Sequence, residues 1–136
     1  MAEGVSRLTV LYDSGCALCS LFRQWLAGQP ALVQLDLVPA ESAQARALFP
    51  GLDHARTMQE ITVVGDDGSI WTGEHAWVMC LWALAAHRAT AERLATPTGL
   101  RMARAMALSA AGLRHLLARP PLVNGGDYPD RCAGAC

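Results

Sequence analysis

The chain has 136 residues, 52% of them hydrophobic, and eleven basic residues stand against twelve acids for a net charge of −1. That apolar fraction excludes a disordered chain, and the missing basic excess argues against a nucleic-acid binder. All eleven basic residues are arginine, so Schiff-base lysine chemistry and a P-loop lysine are excluded too.

Residues 8–12 (LTVLY) are an apolar run of strand formers, closed by the turn signal Asp13-Ser14-Gly15. A helix follows, with Leu18, Phe22, Trp25 and Leu26 on one face, and Gly28-Gln29-Pro30 stops it. Residues 32–38 (LVQLDLV) read as a second strand. Residues 41–48 suggest a short helix ended by Pro50-Gly51, and residues 61–64 (ITVV) a third strand. Asp66-Asp67-Gly68 is a hairpin signal, so residues 69–72 are an antiparallel fourth strand. Residues 73–87 read as one helix, apolar nearly all round and therefore buried. A further helix starts at Thr96-Pro97, a cap residue followed by proline at the first helical position. It runs to about residue 118, with Gly112 as a potential bend. Residues 119–136 read as an irregular tail after the domain at 1–118.

The order β-α-β-α-β-β-α plus a helix is the thioredoxin arrangement: an α/β domain with a four-stranded mixed sheet flanked by helices. The opening residues lack the basic-then-apolar pattern of a signal peptide, and the longest uncharged apolar run, residues 76–86, is too short to span a bilayer. A cytoplasmic location is expected, where close cysteine pairs read first as redox or metal sites.

The five cysteines are Cys16, Cys19, Cys80, Cys132 and Cys136. Cys16 follows a glycine turn at a helix start. Unpaired N–H groups and the helix dipole there favour a thiolate, and such settings lower a cysteine pKa from about 8.5 to roughly 3.5–7.5. Cys19 is one turn on, about 5 Å away on the same side of the helix. The natural division of labour has Cys16 attack a disulfide and Cys19 resolve the mixed disulfide.

Asp13-Ser14-Gly15-Cys16-Ala17-Leu18-Cys19 has the form D-x-x-C-x-x-C, directly after the strand ending at Tyr12. It resembles the thiol-disulfide oxidoreductase DCC family, which is named for that motif and has a thioredoxin-like fold. Ile61 to Val64, then Asp67-Gly68 and Gly73-Glu74-His75-Ala76, resembles the family's hairpin and following helix start. The resemblance covers roughly residues 8 to 117. It implies an enzyme that exchanges dithiol and disulfide with a protein or small-molecule thiol partner and needs no cofactor. Ser14 and Ala17 stand where family members often have Gly and Pro. Arg56-Thr57-Met58 occupies the place where thioredoxins carry a cis-proline. Asp13 is the motif acid, read either as a cap or turn former or as a proton acceptor for Cys19; Ser14 is an alternative cap.

Cys132 and Cys136 form a second pair, Cys-x3-Cys, among small residues. Four thiolates from Cys16, Cys19, Cys132 and Cys136 suit zinc or copper(I), the alternative reading as a metal-binding protein. They suit equally a relay between the two pairs, or a disulfide within the tail. A thioredoxin-fold partner protein without catalysis is a third reading. Cys80, in the most apolar helix, reads as a buried inert thiol. His75 stands beside the second motif, and His54, His87 and His115 lie near turns or helix ends, the last two where a positive charge suits the dipole. Trp71, Trp77 and Trp82 read mostly as core, with Trp77 or Trp25 as a candidate groove wall beside Cys16. Met102 and Met106, four apart, suit core or a helical partner face.

Overall fold

The computed structural model of the chain describes residues 4–116. Strand β1 (Arg7–Tyr12) carries five buried residues in a row and is an inner strand of the sheet. It pairs parallel with β2 (Gln34–Pro39) and antiparallel with β3 (Thr62–Gly65); β4 (Ile70–Thr72) lies outside β3. A parallel pair needs a crossover, and helix α1 (Ala17–Ala27) supplies it. The β3–β4 connection turns at Gly68, whose φ of 89° is a left-handed conformation that glycine adopts without penalty. Asp67 braces this turn by accepting from the Ser69 N–H at 3.0 Å. Its neighbour Asp66 accepts from the Ser6 backbone and hydroxyl, which ties the entry to β1 to the hairpin and holds that carboxyl below its ordinary pKa.

Alternation along β1 divides the core between the two faces of the sheet. Leu8 and Val10 join Leu26, Val63, Met79, Cys80 and Leu84 in the larger cluster. Leu11 packs with Val38, Ala40, Ala45 and Val64 on the other side, beneath helix α2 (Ala43–Leu48). Helices α4 (Gly73–Trp82), α5 (Arg88–Leu94) and α6 (Pro97–Leu116) pack against one another. This is the expected four-stranded mixed sheet in the expected order. No helix among the described residues is long and apolar enough to cross a membrane.

Several expectations are corrected. The helix read over residues 73–87 ends at Trp82, because the following residues bond elsewhere. The Ala83 carbonyl accepts from the Leu32 N–H at 2.7 Å, and the Ala85 N–H donates to the Pro30 carbonyl at 3.0 Å. Arg88 closes the break: its Nε donates to the Trp82 carbonyl at 2.8 Å and its guanidinium lies 4.1 Å from the centre of the Trp82 ring. His87 therefore begins α5 rather than ending α4, so no favourable helix-end charge acts on it. Residues 54–57 form a one-turn helix α3 (His54–Thr57) that periodicity is too short to reveal; Asp53 caps it by accepting from the Arg56 N–H at 3.2 Å. Met102 and Met106 are exposed and take no part in the core. The α6 start is as read, with the Thr96 hydroxyl accepting from the Gly99 N–H at 3.1 Å, and the helix passes through Gly112 without a break.

Gly99 is where α5 and α6 touch. A Cβ there would lie 2.2 Å from the Arg93 carbonyl oxygen and 2.5 Å from the Leu94 Cα, inside any permitted contact. Only glycine allows this approach, which fixes the position of α6. Residues 117–136, with the predicted tail and its Cys132 and Cys136, lie outside the described residues.

Candidate active site

The site is assembled at the end of β1. The Asp13 carboxylate accepts from the Gly15 N–H at 2.9 Å, folding back on its own backbone. The Asp13 carbonyl accepts from the Cys16 N–H at 3.2 Å. Asp13 is thus a turn former rather than the helix cap, and Ser14 does not cap the helix either. That cap is Cys16 itself, in extended backbone, with its Sγ accepting from the Cys19 N–H at 3.3 Å. A sulfur occupies the position where Ser, Asp or Asn oxygens usually meet the open N–H groups of a helix. The first turn of α1 contains no acidic residue to oppose negative charge there. Cys16 is 6% exposed and Cys19 is half-buried.

A groove of about 450 Å³ opens beside Cys19. One wall is Leu18, Cys19 and Phe22 of α1, meeting Tyr12 and Asp13 at the end of β1. Opposite stand Thr57 and the segment Gln59, Glu60 and Ile61 that leads into β3. Gly73, Glu74 and Trp77 of α4 form a third side, and Arg104, Ala107, Leu108 and Ala110 of α6 close the fourth. Trp77 meets Phe22 with ring centres 4.3 Å apart, giving the groove an aromatic wall. Gly73 has a φ of 56° and donates its N–H to the Ile61 carbonyl at 3.3 Å, which joins the α4 start to that segment. Arg23, two turns beyond Cys16, places its guanidinium 5.9 Å from the centre of the Tyr12 ring.

Of the candidates read from sequence, Asp13, Cys19 and Trp77 share this groove, and Cys16 adjoins it through its bond to Cys19. Trp25 does not line it; it packs against Phe22 and His87. His75 is not among the groove's lining residues; it is exposed and 3.8 Å from the Glu74 carboxylate. His54 is buried with its Nε2 bonded to the Phe49 carbonyl at 2.8 Å. Cys80 is fully buried in the core, and burial pushes its thiol up to about 12. Thr57, Glu60 and the α6 residues were not read as site residues. The Asp53 cap signal marks the turn that delivers Thr57; nothing local marks the α6 wall.

Among the described residues, no cluster of three or more His, Cys, Asp or Glu side chains is placed to hold a metal ion. Two ligands of the four-cysteine set, Cys132 and Cys136, lie outside the described residues.

A family model described as DCC1-like thiol-disulfide oxidoreductase matches residues 10–119. No curated protein and no solved structure matches the chain. The matched stretch contains the Asp13–Cys19 motif and every wall of the groove.

Proposed function

For a chain that belongs to the DCC1-like thiol-disulfide oxidoreductase family, we propose that Cys16 and Cys19 are the dithiol that exchanges with a substrate disulfide. The observation that carries this reading is the Cys19 N–H donating to Cys16 Sγ at the mouth of α1. That bond and the helix dipole stabilise a thiolate more than a thiol, which makes Cys16 the attacking sulfur.

Cys16 Sγ attacks one sulfur of the substrate, the substrate S–S bond breaks, and the other half leaves as a thiolate that takes up a proton. Cys19 then loses its proton and attacks Cys16 Sγ, the mixed disulfide breaks, and the second substrate thiolate departs. The protein ends with a Cys16–Cys19 disulfide, and the substrate has gained two electrons and two protons. The reaction runs in reverse from the oxidised protein. Asp13 lines the groove together with Cys19 and is assigned as the acceptor of the Cys19 proton. The apolar wall of Phe22 and Trp77 holds the organic part of the substrate against the sulfurs. Because Cys16 keeps so little exposure, a slim and accessible disulfide is the preferred substrate.

The test is single-turnover reduction of bis(2-hydroxyethyl) disulfide by the reduced protein, with Cys16→Ser as control. One substrate equivalent reduced per chain, and none by the variant, supports the reading. Equal reduction by the variant overturns it.

A further inference from the structure

The mechanism above uses one charged side chain of the groove, Asp13, and leaves Glu60, Glu74 and Arg104 without a role. These three stand at two separate places. Glu60 leads into β3 and Glu74 opens α4, and the Gly73 N–H bond to the Ile61 carbonyl joins those two segments. Glu60 Oε1 lies 3.4 Å from the Arg56 Nε, while Oε2 faces Gly73, 3.4 Å from where a Cβ would stand. Glycine carries no side chain, so nothing from that position covers the oxygen. The Glu74 side chain is 26% exposed, and its Oε1 lies 3.8 Å from the His75 imidazole, beyond hydrogen-bond length. The two carboxylates form one acidic corner. Arg104 belongs to the α6 wall and is exposed. Among the described residues it makes no ion pair, so it does not neutralise that corner. Apolar walls with a few polar groups are how a small-molecule site fixes orientation. One acidic corner and one separate guanidinium are the complement of a zwitterion.

We infer that the substrate is the disulfide of a small α-amino-acid thiol, free cystine being the simplest, and that Arg104, Glu60 and Glu74 select it. The inference rests on the exchange proposed above and names its substrate class. The Arg104 guanidinium donates to an α-carboxylate, a pairing its planar fork suits. Glu60 and Glu74 accept from an α-ammonium. Cys16 and Cys19 then act as before: the cystine S–S bond breaks, the Cys16–Cys19 bond forms, and two cysteines leave with the two electrons and two protons of the dithiol. A disulfide that carries only carboxylates meets the acidic corner. One that carries only ammonium groups meets Arg104. Each mismatch is a repulsive element as well as a lost contact.

The experiment uses the full reduced chain in single turnovers at about pH 7, where both the α-carboxylate and the α-ammonium are charged. The substrates are cystine, cystamine, dithiodipropionate and bis(2-hydroxyethyl) disulfide. Each rate is divided by that of the same disulfide with dithiothreitol, which removes differences in leaving-group reactivity. The normalised rate for cystine is expected to exceed each of the others by roughly tenfold, the scale of one hydrogen bond to a charged group. Arg104→Gln should lower the ratio of cystine to cystamine by roughly tenfold. Glu60→Gln and Glu74→Gln together should lower the ratio of cystine to dithiodipropionate by a similar factor. Cystine reduced no faster than bis(2-hydroxyethyl) disulfide on this scale overturns the inference and leaves the exchange reading standing. Ratios that neither variant moves do the same. If none of the four disulfides is reduced, the exchange reading falls as well.

Discussion

The backbone N–H of Cys19 donates to the Sγ of Cys16 across 3.3 Å, so the motif's first cysteine caps the helix through the amide of the second. The spacing of two intervening residues follows from this. An N-cap side chain reaches the N–H two or three positions on, and the same helical turn brings the two side chains together. One geometric requirement therefore serves both helix stability and the chemistry.

Cys16→Ser separates these two duties. Serine caps well, so thermal stability should change little, while disulfide exchange disappears. Cys16→Ala loses the cap too, at a cost of about 0.5–2 kcal/mol. Calorimetry of the two variants alongside turnover gives the comparison. Equal stability of the serine and alanine variants contradicts a capping role for the sulfur.

Asp13→Asn tests the assigned proton acceptor. Asparagine retains a side-chain oxygen for the Gly15 N–H, so the turn is kept. The first attack should proceed at the wild-type rate, while release of the second substrate thiol slows by roughly ten- to a hundredfold, in line with loss of a general base. Stopped-flow detection of the two thiol releases resolves the steps. Unchanged rates for both would make Asp13 a turn former alone.

Trp77→Ala removes the aromatic wall beside Cys19 and its contact with Phe22. KM for an aryl-substituted disulfide should rise about tenfold, the worth of roughly 1.4 kcal/mol of apolar contact. KM for bis(2-hydroxyethyl) disulfide should change much less. Steady-state kinetics with both substrates shows whether the groove holds the organic group.

Cys80 gives a pH-dependent prediction with a definite sign. Its thiol is held up to about 12 in the fold, above its ordinary value of 9.0. The folded state thus binds the proton more tightly than the unfolded state does. This contribution is fully present below pH 9 and falls between pH 9 and about 12, with a limiting slope of about 1.4 kcal/mol per pH unit. Denaturant titrations across that range should show the loss, and Cys80→Ala should flatten it. In the native protein, Cys80 should resist alkylation until denaturant is added.

The sequence made the sheet legible because each strand carried its own signal: an apolar run ended by Asp13-Ser14-Gly15, and a hairpin turn at Asp66-Asp67-Gly68. The motif cysteines were legible for the same reason, since a strand, a glycine turn and a helix start are local features. The break after Trp82 was not, because the Ala83 and Ala85 backbones bond to residues more than 50 positions away. The sulfur cap was missed because cysteine is not among the residues that ordinarily cap helices. The groove's fourth side was hidden more deeply. Arg104 and Leu108 read only as positions on a helix, and their place beside Cys19 depends on Gly99, whose close approach to Leu94 no local pattern announces. Gly99→Ala should therefore destabilise the fold by about 1–3 kcal/mol and displace that wall, which thermal unfolding and turnover together would register.

The most direct measurement of the central claim is the pH dependence of alkylation at Cys16, followed peptide by peptide with iodoacetamide on the reduced chain. The account predicts a Cys16 thiol that titrates well below about 8.5, with Cys19 reacting only at higher pH. A Cys16 that titrates at or above about 8.5 would contradict it.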